Sequence, residues 1–380
     1  MRISRVETIP IKQELERPFG NGQGWTASRQ YLIVRVTAED GTVGYGECWG
    51  PVAGNDRVVE SVISPLLIGQ DATATGRLWE QVHFKLRWAF HSFAPYSALS
   101  GVDIALWDLK GKLMGRPVHD LLGGAFRDSV PAYATGHYFR KVDTLKEQVS
   151  AVLEEAEDHV ESGFKTLKLK IGLGLLGWGV EADIELMGAL HESVTPRGVS
   201  LMIDANCAYS VPEALRVGRA AEKLGIVWFE EPLPPDDMDG YAQLTAKLDV
   251  PVAAGESWAL LSGFHEAFRR RAVSVAQPDV SSAGGITEVK RIADLAHALN
   301  IPCIPHVWGT PIALAASLHL LAALPRHALL EFDRSENGIR ESLLADKFRV
   351  RDDGTVAVPD GPGLGIEVDE EQLDRFSTLA

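Results

Sequence analysis

The sequence predicts an α/β protein in which a (β/α) barrel follows an N-terminal α+β domain. Three observations carry that expectation. From about Val130, eight short apolar runs alternate with about seven helical stretches, and each run closes on polar residues. The runs are almost continuously apolar, as strands buried on both faces of a parallel sheet must be. Before Val130, strand-like segments come first and helical periodicity only afterwards, the order of an α+β unit.

Residues 2–11, 31–40 and 42–49 read as the N-terminal strands, the last two joined by the turn Asp40-Gly41. Between the first two, 16-ERPFGNGQGWTAS-28 is rich in glycine and reads as a mobile loop. Helical periodicity follows over 56–67, 75–86 and 97–115, where Ala98, Gly101, Ala105 and Leu109 form a narrow stripe suited to close packing. The barrel strands are expected at 130–136, 165–172, 199–206, 226–232, 251–257, 273–279, 301–307 and 328–333. No GxGxxG opens a helix after a strand, which argues against a doubly wound sheet, and 172-GLGLLG-177 reads as a connecting loop without a ligand. The expected domains are residues 1–128 and 129–351, with a turn-rich tail from about 352 to 380 returning to the first domain.

Composition limits the partners. The chain has 380 residues, 46% of them hydrophobic, which is ample for a barrel and a second domain. Its formal net charge of −15 argues against nucleic acid or an anionic membrane as partner. An acidic substrate would therefore need local cations or a metal. Cys48, Cys207 and Cys303 form no CxxC pair and suggest a reducing compartment. With no signal-peptide run and no apolar stretch of about 18 residues, a cytoplasmic location is expected.

The chemistry lies in the polar residues at the strand ends. Lys168 and Lys170, Asp204 and Asn206, Glu230 and Glu231, Glu256, Asp279, His306, and Glu331 and Asp333 follow one another strand by strand. From Lys170 the principal members recur at 34, 26, 26, 23, 27 and 25 residues, one βα unit each, so they converge on the barrel mouth where active sites form. Asp204, Glu230 and Glu256, on three consecutive strands, would repel one another unless a cation sat between them. All-oxygen ligation suits Mg²⁺, with Mn²⁺ as the alternative, and the lack of nearby Cys or His ligands disfavours Zn²⁺. Asn206 would bind a ligand carboxylate or the substrate, whereas Glu231, facing the other way, reads as a loop salt bridge.

Lys168 and Lys170 project from one strand face. Their mutual repulsion is expected to lower at least one lysine pKa, as a base requires. A substrate carboxylate would bridge the metal and Lys168, its α-proton facing Lys170 and the metal stabilising the enediolate formed. Asp279 beside His306 would fix the imidazole tautomer and raise its basicity. Glu331 would hydrogen-bond the developing oxyanion if protonated. His137, Trp25, Trp49 and Trp308 are the candidate pocket walls.

These residues resemble the enolase superfamily, specifically its mandelate racemase subgroup. The resemblance spans almost the whole chain and rests on 168-KLK-170, 204-DAN-206, 229-FEEP-232, 255-GE-256, 277-QPD-279, 305-PH-306 and Glu331. It implies a modified (β/α)7β TIM-type barrel with an N-terminal α+β capping domain. The loops around 19–25 and 48–55 would close over the mouth and set substrate choice. It also implies Mg²⁺ dependence, a small carboxylate substrate such as a sugar acid or its lactone, and a symmetric homo-oligomer. The stretches 99-LSGVDIALWDLKGK-112, 132-AYATG-136, 305-PHVWGT-310, 331-EFDRSEN-337 and 360-DGPGLGIE-367 are similar to those of the subgroup's lactone cycloisomerases. Cycloisomerisation is thus the first expectation. Acid-sugar dehydration and racemisation share its first step, and a non-catalytic sugar-acid-binding protein is the distant alternative.

Overall fold

The computed structural model describes residues 1–377. Strands β1 (Ile3–Asn21), β2 (Gly24–Ala38) and β3 (Val43–Cys48) form an antiparallel sheet in that order. Its two faces have different tasks. Leu32, Val34 and Val36 pack with the N-terminal helices, while Tyr31, Ile33 and Tyr45 join the barrel core. Alternation along the strand thus serves two cores at once.

The segment expected to be a loop at 16–28 is instead the end of a long hairpin. Phe19 pairs with Thr26 and Gly20 with Trp25, after a register shift between Glu14 and Phe19. The tight turn explains the difference: Asn21 Oδ1 accepts from the backbone N–H of Gln23 and Gly24. A Cβ on Gly22 would stand 2.2 Å from the carbonyl oxygen of Ala205, so glycine lets the hairpin tip press on the barrel.

Helices α1 (Thr75–Phe90) and α2 (Tyr96–Met114) cover the sheet. The small-residue stripe of α2 meets β3 directly. A Cβ on Gly46 would lie 1.9 Å from the carbonyl oxygen of Gly101, and one on Gly101 would lie 2.4 Å from Cys48 Sγ.

The barrel then runs β4 (Ser129–Thr135), α3 (Leu145–Glu161), β5 (Thr166–Lys170), α4 (Val180–Val194), β6 (Ser200–Asp204), α5 (Val211–Lys223), β7 (Phe229–Glu230), α6 (Met238–Lys247), β8 (Val252–Ala254), α7 (Leu260–Arg269), β9 (Val275–Ala276) and α8 (Gly285–Ala298). The seventh strand position is held by parallel bridges from Ala276 to Cys303 and from Asp279 to His306. After α9 (Pro311–Ala322), β10 (Leu330–Asp333) pairs in parallel with β4. Eight strand positions and seven helices make a (β/α)7β barrel. Several ladders are shorter than the apolar runs. They stop where Asn206 and Glu231 take positive φ values of 42° and 37° and turn their chains at the mouth.

One connection differs from expectation and another agrees with it. Tail residues Thr355–Ala357 form β11, which pairs antiparallel with β4 of the barrel and not with the N-terminal domain. Only later does the tail reach that domain, where Leu364 N–H donates to Asp108 and Arg35 pairs with Glu370 on α10 (Glu370–Ser377). In the glycine-rich 172–177 loop, the N–H groups of Gly172 and Leu173 both donate to Asp183 Oδ1, so the protein's own carboxylate fills the anion cradle.

Polar groups fasten the domains together. Glu47 accepts from Thr310 N–H, Thr310 Oγ1 and Ala313 N–H at the start of α9, a helix N-terminus that favours a carboxylate. Asp103 accepts from the N–H and hydroxyl of Thr287. At the other end of α9, the His319 ring stacks on His119 at 5.1 Å, and its Nδ1 accepts the His119 backbone N–H.

Burial pushes the His319 imidazole from 6.5 down to about 4. Between those values the unfolded chain binds the extra proton and the folded protein does not. Stability should therefore fall as pH drops from about 6.5 to about 4, by about 3 kcal/mol from this residue. Urea midpoints across that range should fall more steeply for the parent than for His319→Gln; equal slopes would exonerate His319.

Candidate active site

The site is built at the strand ends, where alternation aims Lys168 and Lys170 from β5 to the same side. Lys168 Nζ lies 2.5 Å from Glu230 Oε1 and 2.7 Å from Glu331 Oε1, with Asp204 Oδ2 at 3.7 Å. Lys170 donates to Asp204 Oδ2. All these side chains are buried. Glu230 keeps its second oxygen for neutral donors, Trp228 Nε1 at 2.9 Å and Gln277 Nε2 at 2.7 Å.

Across the mouth, His306 Nδ1 stands 2.7 Å from Asp279 Oδ2, and Asp279 Oδ1 accepts from the N–H of Ser281 at 2.7 Å. His306 Nε2 is 3.2 Å from Glu256 Oε2 without hydrogen-bond alignment, and 4.0 Å from Glu331 Oε2. Trp49 meets the His306 ring edge-on at 4.9 Å.

The protonation pattern corrects two expectations. Burial opposes charge on both lysines, but the carboxylates outweigh it, and both pKa values rise: Asp204 acts on Lys170, and Glu230 and Glu331 on Lys168. Lysine–lysine repulsion does lower Lys170, but less than Asp204 raises it. Glu331 is not a protonated donor. Burial raises its carboxyl, but Lys168 and His306 pull it down to about 2. It accepts the N–H of Val307 as a carboxylate. His306 is lifted to about 10, where Glu256, Glu331 and Asp279 overcome its burial. Burial pushes Glu230 up to about 7 against the pull of Lys168.

Asp204, Glu230 and Glu256 place oxygens within 4.8 Å of one another. Glu256 Oε2 and Asn206 Oδ1 are buried without hydrogen-bond partners. A wholly oxygen donor set with acceptors to spare fits a hard divalent cation.

Other residues lie elsewhere than expected. Glu231 is buried and makes no salt bridge among the described residues; Ser257 Oγ donates to its Oε1. Its positive φ turns it inward, a backbone feature that strict alternation misses. His137 is fully buried against Lys168 O, Glu155 and His159, and among the described residues it makes no hydrogen bond to the carboxylate trio. Trp25, at the hairpin tip, is 36% exposed beneath Lys141. Trp308 packs among Trp49, Tyr31 and Arg29, beside His306.

Four contributors were not foreseen. Trp228 and Gln277 stand two residues before Glu230 and Asp279, so the same alternation that groups the lysines could have found them. Tyr138 covers Lys170 Nζ at 5.3 Å and stacks on Phe19 at 4.3 Å. Arg29 is wholly buried and joins β2 to the barrel through Asp333 Oδ2 at 2.8 Å and Glu336 O at 2.7 Å. No local pattern signals either of the last two.

Fold and site together define an enzyme of the enolase superfamily, of the isomerase or lyase kind. Residues 5–123 match the mandelate racemase / muconate lactonizing enzyme N-terminal domain, and residues 151–372 the enolase C-terminal domain-like family. The chain belongs to that mandelate racemase / muconate lactonizing enzyme family. It is 40% identical to D-galactarolactone cycloisomerase of Agrobacterium fabrum, over 99% of both chains. It is 35% identical to arabinonate dehydratase of Saccharolobus solfataricus, over 91% of this chain and 90% of the relative. A solved racemase from Streptomyces coelicolor with bound magnesium superposes with a TM-score of 0.88 at 30% identity, covering 98% of this chain and 99% of that one.

Arg29→Met should cost about 3–5 kcal/mol, because Asp333 then stays buried with only the more distant Arg340 near it. Urea unfolding measures the loss; a change below about 1 kcal/mol would mean that the pair contributes little.

Proposed function

We propose that the protein is a Mg²⁺-dependent cycloisomerase that opens a sugar-acid lactone such as D-galactarolactone. The observation that carries this reading is the placement of Lys170 and His306 across one mouth, with Asp204, Glu230 and Glu256 between them. These three would hold Mg²⁺, which supplies positive charge to bind the substrate carboxylate and stabilise its enediolate. Carboxyls outnumber the cations Lys168, Lys170 and His306 at this mouth, and a divalent ion bound there would offset the excess.

Lys168, held by Glu230 and Glu331, orients the substrate carboxylate as a fixed cation. Lys170 shares Asp204 with the metal site; a cation bound there would compete with the ammonium for that carboxylate and so favour the free amine that a base requires. The base takes the proton from the α-carbon. Those electrons form the carbon–carbon double bond, and the ring C–O bond at the β-carbon breaks, releasing its oxygen as a carboxylate. The enol then tautomerises to a 2-keto-3-deoxy acid. His306, charged and oriented by Asp279, stands opposite as the acid. Trp49 and Trp308 wall its side, and Asn206 offers a free amide oxygen to substrate.

A second reading, dehydration of an open-chain sugar acid, is favoured by the likeness to arabinonate dehydratase. It needs the same first step with hydroxide leaving. Action in the cytoplasm as a homo-oligomer completes the proposal, and light scattering tests the assembly.

Purified protein with Mg²⁺ should convert galactarolactone to a keto acid detected by semicarbazide. Turnover of aldonic acids but of no lactone would install the dehydratase reading. Lys170→Ala and His306→Asn are each expected to lower kcat by about 10²–10⁴. If both kept full turnover and full α-deuterium exchange in D₂O, the assigned roles would be wrong. EDTA should abolish turnover and Mg²⁺ restore it; Glu256→Gln should raise the Mg²⁺ concentration needed.

A further inference from the structure

Among the described residues, one other group of side chains has metal-ligand character: His137, Glu155 and His159. It lies behind the barrel wall, between the end of β4 and helix α3. Glu155 and His159 are four residues apart on that helix and so share a face. His137 follows β4 by two residues and takes φ 51°, a left-handed conformation that a branched-ring residue adopts only at a cost of roughly 1 kcal/mol. Gly136 makes the approach possible: a Cβ there would stand 2.5 Å from Glu155 Oε1 and 3.1 Å from His159 Cε1.

Both imidazoles are buried, and each leaves a nitrogen unpartnered, His137 Nε2 and His159 Nδ1. An unpartnered buried polar atom is costly. The outer contacts have the form that metal ligands use. His137 Nδ1 is 3.1 Å from the carbonyl oxygen of Lys168, which sets the tautomer and leaves Nε2 as a lone pair. Glu155 is held at Oε2 by Arg140 at 3.0 Å and at Oε1 by the His137 N–H at 2.7 Å. Burial lowers both imidazole pKa values, so both rings are neutral and able to ligate.

We propose that His137, Glu155 and His159 form a second divalent-metal site, selective for an imidazole-seeking ion of the zinc class and separate from the oxygen site at the mouth. Their ligand atoms lie within 4.8 Å of one another, whereas ligands of one tetrahedral ion sit about 3.4 Å apart, so binding would draw the side chains inward. Two nitrogens and one carboxylate leave the fourth position to water. The ion would tie α3 to β4 and, through Lys168 O, to the strand that carries the site lysines. Its role is to hold the scaffold.

The test is Co²⁺ uptake by the full-length protein in excess Mg²⁺, which keeps the oxygen site filled. After dialysis, elemental analysis should find one Co²⁺ per chain, with the absorption of a four-coordinate, nitrogen-ligated ion and a raised Tm. His159→Gln should bind Co²⁺ on the order of tenfold to a hundredfold more weakly while retaining Mg²⁺-supported folding. Glu155→Gln serves the same purpose should His159→Gln misfold. No retained Co²⁺, equal retention in parent and both variants, or a purely oxygen-ligated spectrum would overturn the proposal.

Discussion

The opposition of buried carboxylates and buried cations at the barrel mouth is the constraint on which the rest depends. Isolated charges of either sign would be excluded from such a place by desolvation. They persist because each ammonium and the imidazolium lies against acids contributed by other strands. The consequence is mutual: Glu230 is positioned by Lys168, Lys168 by Glu230 and Glu331, and His306 by Asp279 and Glu256. Breaking one partnership changes the protonation of the others.

Holding that arrangement takes more than the barrel. The N-terminal sheet lends one face to its own helices and the other to the barrel core, so the two bodies are joined by continuous packing. Glu47, Asp103 and Arg29 then fasten specific points, the first two at or near the starts of barrel helices and the third on the last strand. Arg29 also stacks on Trp308 and Phe19. The aromatic wall near His306 is therefore set by an ion pair between domains.

Much of the site was legible because strand periodicity and βα spacing are local properties. The ladder from Lys168 to Glu331 could be aligned on one mouth before any contact was known. What misled was the treatment of charges in isolation. Lysine–lysine repulsion suggested a lowered pKa, and the structure raises both, since acids 34 to 163 residues away outweigh the neighbouring lysine. Glu331 fails as a neutral donor for the same reason. Glu231 went astray because a positive φ interrupts the alternation on which its placement relied, and His137 because its own positive φ accompanies a turn toward α3.

The sequence alone determined the order of elements, the number of βα units, the residues at the strand ends and the chemical class of the carboxylate trio. All follow from period, spacing and side-chain type. The tertiary structure decided which charges neutralise one another, that a glycine-rich stretch becomes a hairpin pressed on the mouth, and that His137 turns away toward α3. Those outcomes depend on distances between residues remote in the chain, which burial and backbone turns fix only once the barrel has closed.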